Sequence, residues 1–467
     1  MRPSLAEFTS AIADQARFSE IEQVRLALHP GLMGGYLEEA LGASLARPCN
    51  VLDMKYEPGE YCTLLYSLGE QMVVGDIRWK EKKSSPPEDG RKIPILGMHV
   101  YSFPEDPWLP TIPAVTSPNV IARALSQALP ETASGEARLL RVKLSIQRYR
   151  PGRRLTLRLE VAMRESASGE VKYRTLYGKV FHKLEKARPV FEDMQLLIES
   201  TAVREGKIRL ARAVAFLPEL SLVLQDPVSG TSLEDLIGRM EGKARRGDAR
   251  GGEGVERAAR ALAAVHMAGL ETRRERSIES ELMRFIQRTE KIRTVDEAQG
   301  LNMMALAEIL PNWLENLKEW GARNSLIHGD CKPSQFLIDG ERVALLDFDH
   351  SGMADPANDV GVFLATLRQL SRWQSLKARG DQLSASRAEW LLALETRFLE
   401  AYCLAAGLDD GFRQRAAWYQ AVGLLRKALR GFGRSPFSPF PGMMVEEAWR
   451  CLEGLPGQKR TSDGKVG

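Results

Sequence analysis

The sequence predicts an α+β fold, with strands concentrated in the first half and helices in the second. Three observations carry this. Alternating apolar and polar residues, the period of half-buried strands, recur from about 50 to 120 and again from about 140 to 225. Beyond 230 the pattern is mostly helical, broken by one β-rich stretch between Leu326 and Phe348. Two segments also nearly repeat. YEPGEYCTLLYSL at 56–68 and YRPGRRLTLRLEV at 149–161 share Tyr, Pro, Gly, Thr and the following Leu, five positions of thirteen.

Taken in order, residues 1 to about 45 read as helical, with HPGLMGG as a stop. Each near-repeat reads as strand, PG turn, strand. In the second copy Leu155, Leu157, Leu159 and Val161 alternate with Thr156, Arg158 and Glu160. Each copy leads into a further strand, VVGDIRW or LYGKVFH, so the pair is expected to be a duplicated β-unit. Between the copies, Pro104, Pro107, Pro110, Pro113 and Pro118 suggest an extended connector, because each fixes φ and removes an amide donor. The segment 241–254, charged and glycine-rich without an apolar period, is expected to be a surface loop.

Bulk properties narrow the function. A chain of 467 residues fits two to three units. The balance of 44% hydrophobic and 27% charged residues is that of a soluble globular protein. No apolar run reaches the ~18 residues of a membrane span. The N-terminal segment lacks the apolar core of a signal peptide and reads as an amphipathic helix. A net charge of +4 does not point to nucleic acid, and the basic stripe from Arg141 to Arg158 has few aromatics for base stacking. Five widely spaced cysteines without a CxxC motif indicate neither a disulfide framework nor a zinc site, so a reducing cytoplasm is the expected location.

The stretch LIHGDCKPSQFLIDGERVALLDFDHSGMADPANDVG, 326–361, carries the chemistry. Two short strands, Phe336–Ile338 and Val343–Leu346, are joined by a turn at Gly340. Asp330, Lys332, Gln335 and Asp347 then fall at one end of the hairpin, where they can converge on one ligand. Phosphoryl transfer needs such a set: a carboxylate for the acceptor hydroxyl, oxygens for Mg²⁺ and a cation for the transferred group. Asp330 suits the first role, Gln335 and Asp347 the second and Lys332 the third. His328, Asp355 and Asp359 are expected to brace the loop, Asp349 to stand beside the metal, and Cys331 and His266 to pack.

HGDCKPSQ followed by LLDFD resembles the catalytic and metal-binding loops of the aminoglycoside phosphotransferase superfamily, relatives of protein kinases. Gln335 stands where Asn is usual, as in maltokinase-like enzymes. The resemblance implies a two-lobed protein-kinase-like fold. A β-rich small lobe would span 141–225, a helical lobe 226–467, and an α+β cap 1–140. It implies that Lys179 grips the α- and β-phosphates of ATP, and that Gly152, Arg153 and Arg154 stand in the phosphate-covering loop. A helix from about Pro189 to Thr201 would pair a glutamate with Lys179, Glu192 first and Glu199 second. The hinge at Gln225, Asp226 and Val228 would hydrogen-bond adenine. ATP and Mg²⁺ are the implied cofactors. The implied partner is a small-molecule acceptor, a sugar or sugar-like alcohol, with amino-alcohols and aminoglycosides open. The alternative, a nucleotide-binding regulator without turnover, is opposed by Asp330 and Lys332. Aligning Gly75 with Gly178 puts Asp76 where Lys179 stands, so one nucleotide site per chain is expected, in the second β-unit.

Overall fold

Pro30 begins a helix rather than ending one. The computed structural model describes residues 18–42, 48–80, 91–238, 249–377 and 382–456, so the segment 1–17 lies outside the described residues. Helix α1 (Glu20–Ala27) opens at Ser19, whose amide and hydroxyl both donate to Glu22. Helix α2 (Pro30–Leu41) has its proline in the first turn, where the missing amide leaves no bond unmade, and closes at Gly42 in the left-handed region.

Two five-stranded antiparallel sheets follow, and they share one topology. The first comprises β1 (Cys49–Glu57), β2 (Tyr61–Leu68), β3 (Gln71–Arg78), β4 (Arg91–Ile93) and β5 (Met98–Ser102), in the order β1-β2-β3-β5-β4. The second comprises β6 (Ala137–Arg150), β7 (Arg154–Glu165), β8 (Val171–Phe181), β10 (Ala213–Leu217) and β11 (Leu222–Gln225), in the order β6-β7-β8-β11-β10. The short β9 (Arg209–Leu210) pairs elsewhere. In each sheet the last two strands are joined by a 3₁₀ turn, Pro94–Leu96 or Pro218–Leu220, that ends on a left-handed residue, Gly97 or Ser221.

The registers agree as well. Gly75 faces Leu64 and Val100, as Gly178 faces Leu157 and Leu224. A Cβ at Gly75 would lie 2.5 Å from the Met98 sulfur, and one at Gly178 would lie 2.9 Å from Leu222. Both glycines therefore serve close packing across the sheet. The units differ in one insertion. Between β8 and β10 the second carries helix α4 (Leu184–Ile198), whereas only residues 79–90 separate β3 from β4.

The proline-rich connector is not extended. It folds into turns, a helical turn at Ile112–Val115 and helix α3 (Pro118–Ala128). Pro113 and Pro118 fall in first turns, which tolerate a missing amide donor. Leu109, Ile112, Val115, Ile121, Leu125 and Leu129 are fully buried, between Leu65 and Val74 of the first sheet and Leu155, Leu157 and Leu159 of the second. At about 2 kcal/mol for each fully buried aliphatic side chain, this core outweighs the extended bias of the prolines.

The second half is helical around a small β-insert. The insert comprises β12 (Thr231–Ser232), β13 (Ser325–Ile327), β14 (Phe336–Asp339), β15 (Arg342–Leu345) and β16 (Gly352–Ala354). Its main sheet runs β12-β14-β15-β9. The longer helices are α5 (Ala249–His266), α6 (Ile278–Arg293), α7 (Glu297–Ile309), α8 (Ala357–Lys377), α9 (Gln382–Ala406), α10 (Asp410–Phe432) and α11 (Phe440–Leu452). Residues 249–254, expected in a loop, open α5, and Gly251, Gly252 and Gly254 are buried there. The rest of that expected loop, 241–248, lies outside the described residues.

The first sheet also docks on these helices. The amide of Tyr56 donates to Gly433 O at 2.7 Å, and its ring stacks on Phe432. Glu57 pairs with Arg288 at 3.2 Å and Glu60 with Lys291 at 2.6 Å. No described helix is long and apolar enough to cross a membrane.

Candidate active site

The turn between β13 and β14 is held from below by one buried carboxylate. Asp359 accepts the amides of His328 at 2.5 Å and Gly329 at 2.8 Å, and its Oδ2 lies 3.1 Å from His266 Nε2. Burial works against its charge, yet the bonds from His266 and His328 hold its carboxyl below the usual value. His328 is buried, with its Nε2 at 2.7 Å from Leu346 O, so it ties the turn to the end of β15. Gly329 has φ +79°, and a Cβ there would meet His350 O at 2.1 Å, so only glycine fits.

This bracing presents Asp330 and Lys332. Lys332 Nζ donates to Asp330 Oδ2 at 2.5 Å, and Arg430, in the last turn of α10, stands 3.7 Å from Asp330 Oδ1. Burial alone would raise the Asp330 carboxyl; Lys332 and Arg430 overcome it and bring it down to about 2. The side chain is therefore an ionised acceptor at neutral pH. Cys331 is buried, and burial pushes its thiol up, away from nucleophilic use.

A second cluster forms where β15 ends. Asp347 sits in the left-handed region at φ 69°. Lys179 Nζ reaches Asp347 at 2.8 Å and Asp349 at 3.2 Å, joining β8 to a loop 168 residues further on. Arg154 pairs with Asp349 and lies 3.7 Å from Asp347. Gln335 Nε2 donates to Asp347 Oδ2 at 3.4 Å. Burial opposes the charge on Asp347, but Lys179 and the hydrogen bonds it receives hold its carboxyl far below the ordinary range. Burial would lower the Lys179 ammonium; Asp349 and Asp347 keep it above its usual value.

Beside Lys179 lies a narrow cleft lined by Met194, Leu197, Gln225, Asp347 and Phe348 among others. One wall is apolar and one end is charged. Gln225 closes β11 and reaches this cleft. In the next residue, Asp226, the amide donates to Arg212 O at 2.9 Å, and the carboxylate takes Arg174 and Arg212. Val228 packs partly buried with Phe181, Val190 and Met194.

One loop residue, Gly152, is held from outside the cluster. The amide of Gly152 donates to Asp106 Oδ2 at 2.8 Å, and Tyr149 OH donates to the same oxygen at 2.7 Å. The loop is thus tied to the connector, and cationic contact falls to the neighbouring side chains, Arg154 inside the cluster and Arg153 exposed.

Glu192 requires correction. It and Glu199 are exposed, and the carboxylates beside Lys179 are Asp347 and Asp349. One residue along a helix rotates a side chain by about 100°. The buried face of α4 therefore holds Val190, Asp193, Met194 and Leu197, and Asp193 pairs with Arg274 and accepts from Ser351 Oγ at 3.2 Å. The helical spacing of 190, 193, 194 and 197 was the signal for Asp193. Asp106 and Arg430 carried no local signal.

The donor set fits a hard cation shared with a ligand. No group of three or more His, Cys, Asp or Glu side chains suited to a metal occurs among the described residues. Asp347 offers carboxylate oxygens, and Gln335, whose amide nitrogen faces Asp347, carries an amide oxygen on the same group; Mg²⁺ commonly takes one or two protein oxygens and completes its shell with phosphates and water.

Residues 223–418 match the family model described as the phosphotransferase enzyme family. No curated protein matches the sequence significantly. Among solved structures, a choline kinase from Streptococcus pneumoniae is 14% identical, with 72% of this chain and 98% of that one covered and a TM-score of 0.44. A choline/ethanolamine kinase family protein from Mesorhizobium loti is 16% identical, covering 74% and 96%, with a TM-score of 0.42. A choline kinase from Cryptosporidium parvum is 9% identical, covering 72% and 96%, with a TM-score of 0.49.

Proposed function

We infer that this chain, a member of the phosphotransferase enzyme family through residues 223–418, is a small-molecule kinase that moves the γ-phosphate of ATP to a hydroxyl group. One observation carries the reading: Lys179, Arg154, Gln335 and Asp347, from distant segments, meet in one cluster, with the ionised Asp330 on the adjoining turn.

In this reading the base of ATP enters the apolar part of the cleft, between Met194, Leu197 and Phe348, near the strand end at Gln225 and Val228. Lys179 and Arg154 take the phosphates. Asp347 and Gln335 are the residues that would hold Mg²⁺, which when bound supplies positive charge against the phosphate oxygens. Asp330 orients the acceptor hydroxyl and accepts its proton, and Lys332 offsets charge on the transferred group. Catalysis is then positioning plus charge stabilisation. The acceptor is a sugar or sugar-like alcohol, and the enzyme works in the cytoplasm. Residues 1–140 cap a small lobe at 141–225, and 226–467 form the catalytic helical lobe.

ADP release measured on purified protein with Mg·ATP and a panel of sugars and amino-alcohols tests this. Acceptor-dependent release that collapses in Asp330→Asn is expected. Turnover that is independent of any acceptor, or unchanged in Asp330→Asn, would count against it.

A further inference from the structure

The acceptor side of Asp330 carries more positive charge than nucleotide binding uses. Lys179 and Arg154 are matched by Asp347 and Asp349. Beyond Asp330 the charges are matched less well. Its oxygens face cations, Oδ2 accepting from Lys332 at 2.5 Å and Oδ1 standing 3.7 Å from Arg430. Arg434 lies just past the end of α10, close enough to Arg430 that each opposes the other's charge. It also stands near Arg150, the last residue of β6, and Arg153 in the turn that follows, and adds its charge to theirs.

Most local carboxylates are engaged elsewhere. Glu57 pairs with Arg288, and Glu281 pairs with Arg426 at 2.7 Å. Asp53 is the anion that faces Arg150 and Arg153. Among the described residues neither Arg153 nor Arg434 has a carboxylate within 4.0 Å. The Arg430 side chain is 54% exposed, so its fork is available to a ligand.

Like charges gathered in a cleft repel one another, and an anion relieves them. Guanidinium groups offer paired N–H donors that match the oxygens of phosphate and carboxylate. Because Arg430 touches the residue read above as the base, its free fork faces the acceptor and not the nucleotide.

We propose that the acceptor carries an anionic group, a phosphate or a carboxylate, which sits between Arg153, Arg430 and Arg434 while its hydroxyl lies at Asp330. This rests on the phosphotransferase reading and names the substrate class for that site. A cationic acceptor meets three arginines there, with Asp53 the one carboxylate named as facing Arg153 among the described residues.

The test uses the full chain, saturated with Mg²⁺ and a non-hydrolysable ATP analogue so that the nucleotide's own phosphate contacts are occupied. Calorimetry with inorganic phosphate, acetate and ethylammonium reads the subsite. ADP release from Mg·ATP with glucose, glucosamine, gluconate and glucose 6-phosphate reads the acceptor. Saturable binding of phosphate or acetate is expected, and their ratio identifies the anion. Arg430→Gln with Arg434→Gln should weaken it about tenfold or more, the scale of losing a charge-assisted contact. That pair should also raise KM more for the anionic hexoses than for glucose. Absence of saturable anion binding, binding unchanged in the double variant, or preferred binding of ethylammonium overturns the proposal. ADP formed as readily from glucose or glucosamine as from the anionic hexoses overturns the anionic assignment and leaves phosphotransfer standing. Anion binding without ADP from any member instead removes the phosphotransferase reading, and the acceptor assignment with it.

Discussion

Asp76 holds in the first sheet the register position that Lys179 holds in the second: each faces a threonine, Thr63 or Thr156, on the preceding strand. Asp76 is fully buried, accepts from Thr63 Oγ1 at 2.6 Å and pairs with Arg78 at 2.6 Å. Tyr61, at the place of Arg154, lies under Lys55 and Arg78. The first unit keeps the strand order and register of the second and holds an internal ion pair where the second holds Lys179.

One nucleotide site per chain follows. Calorimetry with a non-hydrolysable ATP analogue should give about one site, in line with a single phosphate clamp. Asp76→Ala strands Arg78, so it should lower the melting temperature and leave that stoichiometry unchanged. Two sites of similar affinity would refute the assignment of nucleotide binding to the second unit alone.

Asp330→Asn should cut acceptor-dependent turnover about 100-fold or more, as expected for loss of a positioned base, while Mg·ATP binding persists. With its folded value near 2, below the ~3.9 of an unfolded aspartate, Asp330 stabilises the fold above pH ~4, and this contribution is lost as pH falls toward 2. Its protonation therefore should not limit the rate between pH 5 and 8. An acidic limb in that range that vanishes in Asp330→Asn would contradict the assignment.

Asp347→Ala should abolish the Mg²⁺-dependent part of thermal stabilisation by ATP, because it removes the anionic oxygen beside Gln335. Gln335→Asn should retain measurable activity, since an amide oxygen remains on a shorter arm. A melting curve of Asp347→Ala that still responds to Mg²⁺ at fixed ATP would place the metal elsewhere.

Asp106 braces the turn between β6 and β7. Its carboxylate accepts from the amides of Gly152, Trp108 and Leu109 and from Tyr149 OH. Asp106→Ala should destabilise the protein by about 3 kcal/mol, since several buried donors lose a charged partner. KM for ATP should also rise, with Asp106→Asn intermediate. A wild-type KM in a destabilised Asp106→Ala protein would confine Asp106 to a structural role.

The catalytic turn was legible because its parts are close in sequence. The steps from Asp330 to Gln335 and from Gln335 to Asp347 span one hairpin, and β14 and β15 form where the apolar pattern put them. The duplicated unit was legible for the same reason: period-2 alternation and a PG turn set strand, turn and register locally. Glu192 was misplaced although the spacing of Val190, Met194 and Leu197 marks the face of α4 that carries Asp193, and that face packs against Phe181, Ala211 and Val223.

What the sequence by itself determined is therefore the local chemistry: the strands and turns that fix Asp330, Lys332, Gln335 and Asp347 relative to one another, and the place of Lys179 on its strand. Tertiary structure alone decided the rest. It brought Arg430 to Asp330 across 100 residues of chain, folded the prolines of the connector into a core, and set Asp106 against Gly152. Short-range geometry follows from backbone sterics and side-chain period. Contacts between distant segments follow from which apolar faces bury together, and charged groups are carried to their partners by that burial.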